Sequence, residues 1–225
     1  MISLPRLGTL NLHFGLLPEY RGNRPMPWAM INDDLPGMTL HHVDAGIDSG
    51  DIIARLPVPP RPNETMGGLY HRASGVGVDL LLRELPRVVD GVTERLPQDP
   101  SKARYYKKGE PYDRWIDWRQ PATAIERFVR ALWFPPFPAA RFMLGALECE
   151  ACPPVRVAAG VGGEPGAILR VDGTLTVAAG DGGVELERLR VGGKVLDAAA
   201  AAREGAVTCA TRLPSEPWNP AAWRQ

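Results

Sequence analysis

Cysteine is scarce in this chain. Its 225 residues hold three, an odd number too small for a disulfide framework, which points to a reducing compartment. Cys149 and Cys152 form a C-x-x-C, but no second such pair and no H-x-x-x-H supplies the remaining ligands of a zinc site. They read as small apolar residues near a strand end, and no metal is expected. Net charge is lacking as well: 26 Lys+Arg against 26 Asp+Glu give no global attraction to nucleic acid or to a membrane. No run approaches the roughly eighteen apolar residues of a spanning helix, and the sequence shows no charged-then-apolar leader ending in small residues, so a soluble, cytoplasmic protein is expected. Gly162-Gly163 and Gly180 to Gly183 lack the G-K-[ST] of a phosphate loop and read as turns.

What is present suggests two modest units. Gly8 to Phe14, Met38 to Val43 and a stretch from Asp51 read as strands, and Pro25 to Ile31 as a short helix. Asn63 or Thr65 can cap a longer helix to about Val89, although glycines at 67, 68, 75 and 77 interrupt its pattern. This gives an α/β region over 1–95. Residues 96–112 are polar, basic and proline-punctuated, as in a linker. Pro121 then opens a helix with an apolar stripe of Ile125, Phe128, Val129 and Leu132, ended by FPPFP. The period changes to two in AILRVDGTLTVAA, which reads as strands about an Asp172-Gly173 turn, and GVELERLRV follows. A small β unit over 113–213 is the expectation, with a short helix at Asp197 to Arg203 and a loose tail over 214–225.

Asn11 and His13 stand two apart on a strand, so a carboxamide and an imidazole project from one face. Asp48 lies in DAGIDSGD after the next strand. In an open α/β sheet such loops gather at the edge where ligands bind, so an amide donor, an imidazole and a carboxylate can converge. The alternative is a core histidine and a turn-capping aspartate.

NLHFGLLPEYRG followed by TLHHVDAGIDSGDII resembles the folate-dependent formyltransferase family, whose pattern is N-x-H-P-S-L-L-P, a Gly, then an L-D-x-G loop. YYKKGEPYDRWIDWRQPATAIERFVRALWFPPFPAA is similar to the segment that opens the C-terminal domain of methionyl-tRNA formyltransferase-like members. PGAILRVDGTLTVAAGDGGVELERLR is similar to their small barrel. The resemblance implies a partial Rossmann-like formyltransferase domain followed by an OB-like β-barrel. It implies transfer of a formyl group from N10-formyltetrahydrofolate to an amine. Asn11, His13 and Asp48 match the catalytic residues, and the Asp44, Gly46 and Asp48 loop is expected to hold the folate. Asn11 and His13 would donate to the oxyanion, while Asp48 would orient His13 and accept the amine proton.

Two departures accompany the resemblance. Phe14 and Gly15 stand where the pattern has Pro-Ser, so the turn after His13 should differ in shape. The chain also begins at the strand bearing Asn11, where family members carry further strands of the Rossmann-like half. A truncated or late-started member is therefore expected, with Met1 to Leu7 as a frayed start, weak folate affinity, and unpaired strand edges that favour self-association.

Between Ser101 and Arg141 nine Lys+Arg face four Asp+Glu. Such a positive stripe suits a phosphate-bearing acceptor, either an aminoacyl-tRNA or a nucleotide amino sugar. Arg21 and Arg130 are the candidate acceptor-binding residues. A small-amine formyltransferase, a formyl hydrolase and a non-catalytic remnant are the other readings.

Overall fold

The computed structural model describes residues 5–224; Met1 to Leu4 of the expected frayed start, and Gln225 of the tail, lie outside the described residues. Two compact units result, one of residues 5–64, 68–111 and 220–224, the other of 65–67 and 112–219.

The first unit is built on a three-stranded sheet. β1 (Leu10–His13) pairs with β3 (Gly37–His42), and β3 with β4 (Ile52–Pro57), both antiparallel. Between β1 and β3 come the two-residue β2 (Arg21–Gly22) and helix α1 (Pro25–Ile31), whose every residue is buried. Fold class is mixed α/β as expected, yet these strands do not run parallel as a Rossmann-like half would suggest. The chain between β3 and β4 is too short for a crossover helix, so only an antiparallel return is open to it. β3 is buried at all six positions and forms the middle of the sheet.

Helix α2 (Met66–Val89) runs the length anticipated despite its glycines and an internal Pro86. At Gly77 an added Cβ would lie 2.7 Å from Met38 Cε and 3.0 Å from Leu12 Cδ2, so the missing side chain lets the helix settle against β1 and β3. The stretch expected as a linker is packed into this unit. Its β5 (Tyr105–Tyr106) pairs in parallel with β2, and Tyr106 is fully buried. An aromatic ring explains why so polar a segment is held: Tyr106 stacks on Tyr20 and on Trp28, at centroid distances of 5.4 and 5.0 Å.

The second unit contains helix α3 (Ala122–Leu132) and a six-stranded antiparallel sheet. In chain order the strands are β6 (Arg141–Leu144), β7 (Leu147–Ala158), β8 (Ile168–Val171), β9 (Leu175–Ala179), β10 (Gly182–Val191) and β11 (Lys194–Asp197). β10 pairs along its length with β7, and on its other side with β9 and then β11, around which the sheet curls into a half-barrel. The stripe read from the sequence, Ile125, Phe128, Val129 and Leu132, is the buried face of α3, which packs on β7 and β10. Asp181 caps that helix from a distance by accepting the Ala122 amide at 2.7 Å. Helix α4 (Ala198–Glu204) is capped by its own Asp197. Cys149 and Cys152 are buried free thiols in β7, and burial pushes the Cys149 thiol up to about 12.

The C-terminal stretch is not loose. Trp218 stacks on Tyr112 at 5.1 Å, packs on Phe128 at 4.6 Å, and donates its indole N–H to the Trp115 carbonyl at 2.9 Å. Beyond it the short helix α5 (Pro220–Trp223) belongs to the first unit, where Trp223 lies 6.0 Å from Trp28 and Arg224 donates to Asn32. Composition suggested a loose tail; two tryptophans, Trp218 and Trp223, overrule it. Replacing Trp218 by alanine should destabilise the second unit by about 2 kcal/mol or more, since a large ring and a satisfied N–H are lost together. Urea unfolding followed by far-UV dichroism measures this, and an unchanged midpoint would show the tail to be dispensable.

Candidate active site

The β1–β3 register builds the site. Asn11 lies opposite His41, and His13 opposite Thr39, so four polar side chains share one face of two strands. Asp48 joins them from the loop after β3, held in the left-handed region at φ 52°. Its Oδ1 lies 3.5 Å from Asn11 Nδ2, 3.6 Å from His13 Nδ1 and 3.8 Å from His41 Nε2. Its other oxygen accepts the Gly22 amide at 2.8 Å. One carboxylate thus gathers three nitrogens while a main-chain N–H fixes its rotation. The three residues singled out in the sequence are brought together.

Hydrogen bonding sets the roles of the rings. His13 donates Nε2–H to the Tyr20 carbonyl at 2.7 Å, which leaves Nδ1 turned to Asp48. His41 donates Nδ1–H to the His42 carbonyl at 2.8 Å, so its Nε2 accepts from Asn11 Nδ2 at 3.1 Å. That acceptor role requires neutral imidazole. Burial, reinforced by the nearby His13, lowers the His41 pKa below the usual 6.5 and outweighs the attraction of Asp48. His41 therefore aligns the Asn11 amide rather than adding charge.

Behind the rings stands a rigid support. Thr39 donates its hydroxyl to the Gly15 carbonyl at 2.6 Å and accepts the Leu17 amide at 3.1 Å, pinning the turn after His13. Gly15 is needed there: a Cβ would lie 2.9 Å from the Tyr20 oxygen and 3.0 Å from His13 Nε2. The departure from the family pattern thus makes room for the carbonyl that holds the imidazole. Tyr20 itself is anchored through its hydroxyl to Asp34 and Asn32. Burial, together with the Asp34 hydrogen bond, raises its pKa and keeps the phenol neutral.

Asp44 accepts from the Gly46 amide at 3.0 Å and the Ser49 hydroxyl at 2.7 Å, shaping the turn that leads into Asp48. Residues 44–47 of that turn are exposed, and the Ile47 side chain adds an apolar surface beside Asp48. Arg21 sits at the site's border, bound to Gln98. Arg130 lies on α3 in the second unit and pairs with Glu126 one turn away. His41, Thr39, Tyr20 and Gln98 were missed in the sequence reading; for the first two, a T-x-H on β3 with the same period as the N-x-H on β1 was the available signal.

A carboxylate drawing together an amide and an imidazole at a sheet edge is a site for chemistry at a carbonyl group. The chain belongs to the formyl transferase family: the Formyl transferase signature matches residues 1–85, and that of the Formyl transferase C-terminal domain matches residues 108–204. Among curated proteins it is similar to the methionyl-tRNA formyltransferase of Halorhodospira halophila, with 36% identity over 201 residues, 86% of this chain and 62% of that one. The chain thus spans less than two thirds of that relative's length. Among solved structures, HypX from Aquifex aeolicus in complex with tetrahydrofolic acid matches with a TM-score of 0.65 and 26% identity, over 88% of this chain and 35% of that one. An N-formyltransferase from Helicobacter canadensis, solved with folinic acid and dTDP-3-aminofucose, shares the fold with a TM-score of 0.64 and 20% identity, over 79% of this chain and 65% of that one.

Two outcomes check the geometry. Gly15→Ala should cost about 1–3 kcal/mol by crowding the Tyr20 carbonyl and His13, visible as a lower unfolding midpoint and a displaced His13 ring resonance. The buried neutral His41 binds its proton less readily than it does when unfolded, so its contribution to stability is present above about pH 6.5 and is lost on acidification. His42, its pKa lowered chiefly by burial, acts in the same direction. Stability should therefore fall between pH 7.5 and 5, and fall less in His41→Gln; equal slopes for the two proteins in urea melts would refute the assignment.

Proposed function

We propose that the protein transfers a formyl group from N10-formyltetrahydrofolate to the amine of a phosphate-bearing acceptor; the relatives named methionyl-tRNA formyltransferase support the formyl transfer. The observation that carries this reading is the placement of Asp48 Oδ1 within 3.8 Å of nitrogens from Asn11, His13 and His41. The tetrahydrofolic acid bound by HypX supports a folate donor here, and the exposed turn 44–47 beside Asp48 is where its pterin would lie.

The donor supplies an activated formyl group. Addition of an amine to a formyl carbon puts negative charge on its oxygen and an excess proton on the attacking nitrogen. Asn11 meets the first need: one amide hydrogen is committed to His41, and the other is engaged only loosely at 3.5 Å from Asp48. That second hydrogen is the one an oxyanion takes. Asp48 meets the second need by accepting the amine proton, directly or through water. His13, with Nε2 tied to a carbonyl, takes that proton from Asp48 at Nδ1, 3.6 Å away, and passes it to the departing nitrogen as the old C–N bond breaks. A fixed Asp48 rotamer keeps both exchanges in register. Among the described residues no helix is long and apolar enough to cross a membrane.

Formyl transfer is measured with the labelled donor, methionyl-tRNA in one arm and a nucleotide amino sugar in the other. Asn11→Ala, His13→Ala and Asp48→Asn should each lower turnover by about a hundredfold or more while leaving the fold intact. Transfer to neither acceptor, or turnover indifferent to all three substitutions, refutes the proposal. Formate released without any acceptor would instead identify a hydrolase.

A further inference from the structure

Beside the Asp48 turn lies an open cleft of about 600 Å³ whose lining includes Arg21, Ile47, Ser49, Tyr105, Lys107 and Lys108. Its cations are not neutralised by their partners. Arg21 gives both Nε–H and Nη2–H to the Gln98 amide oxygen, at 3.1 and 2.7 Å, and Lys107 reaches the Ala222 carbonyl at 3.3 Å. Both acceptors are uncharged. Lys108 is exposed. Three positive side chains around a cavity with one aromatic wall suit a phosphate with an attached ring.

Gln98 joins this cleft to the active site. While its oxygen holds Arg21, its Nε2 donates to the Asp48 carbonyl at 2.8 Å and to the Gly50 carbonyl at 2.7 Å. The adjoining Gly22 amide binds the Asp48 carboxylate itself. Strand β2 therefore touches Asp48 twice, by main chain through Gly22 and by side chain through Arg21 and Gln98. Anything that moves the Arg21 guanidinium pulls on the amide that holds the Asp48 turn.

We infer that this cleft seats a phosphate of the acceptor, and that Gln98 is a positioning residue that reports its occupancy to Asp48. An anion entering the cleft draws Arg21 toward itself, and the Gln98 amide carries that displacement to the carbonyls of Asp48 and Gly50. Phosphate recognition and proton acceptance become one event. The acceptor and the proton transfer rest on the proposed formyl transfer; the phosphate site and its link to Asp48 do not.

The test uses the full chain and inorganic pyrophosphate, which needs no formyl donor. Calorimetry at low salt should show one site, weakened about tenfold by Arg21→Gln and about threefold by Lys107→Gln or Lys108→Gln, with Lys194→Gln on β11 as an unaffected control. Saturating pyrophosphate should also shift the His13 ring signals in nitrogen-15 spectra. Gln98→Met should abolish that shift at saturation, and so should Gln98→Glu, which keeps the Arg21 pairing but sets a carboxylate against two carbonyls. Binding indifferent to Arg21 and both lysines overturns the cleft; a His13 shift that survives in both Gln98 variants overturns the coupling. Displacement of pyrophosphate by a nucleoside diphosphate, or by a short RNA acceptor-stem hairpin, separates the two sources of phosphate, and displacement by neither refutes the acceptor assignment. Loss of formyl transfer with intact pyrophosphate binding would count against the catalytic reading alone.

Discussion

The register between β1 and β3 is the constraint on which the site depends. Four residue pairs fix it, and a slip by one position would turn Asn11 and His13 to the opposite face. With the register held, Asn11 meets a neutral His41 and His13 stands over Thr39. On β1 the same slip would turn Leu12 away from helix α2, where its side chain lies against Gly77. Core packing and the alignment of the site are thus enforced by the same pairing, and neither can drift without the other.

Much of this arrangement was legible in the sequence because it obeys short-range periodicity. Asn11 and His13 share a face for the same reason that any residues two apart on a strand do. The stripe of α3 follows equally local rules. Long-range partners were not legible. Nothing in the local pattern distinguishes Gln98, fifty residues from the Asp48 carbonyl it binds, from any polar residue of a loop. Nor can the Tyr20 carbonyl be read from letters, since every residue has one; only the fold shows that this one meets His13. The stretch around Tyr106 and the last dozen residues misled for a related reason. Their composition is that of linkers, while their order is set by a few aromatic rings that find distant cavities.

The contrast between Arg21 and Arg130 shows how far charge alone misleads. Both are arginines, and both were candidates for binding the acceptor. Arg130 faces a carboxylate on its own helix, which offsets its charge locally. Arg21 is held by an amide, which fixes its geometry and leaves its field intact. Pairing a cation with a neutral acceptor is how a protein can hold a charge in place for a ligand without spending it on itself.

The path of the chain adds a consequence of another kind. The first unit takes its core from residues up to 111, yet Trp223 and Arg224, beside Trp28 and Asn32, come from the far end of the sequence, after the whole second unit. Synthesis from the N-terminus means that the ribosome delivers these residues only after everything between them has emerged. The aromatic cluster around Trp28 therefore closes last, after the second unit has been made.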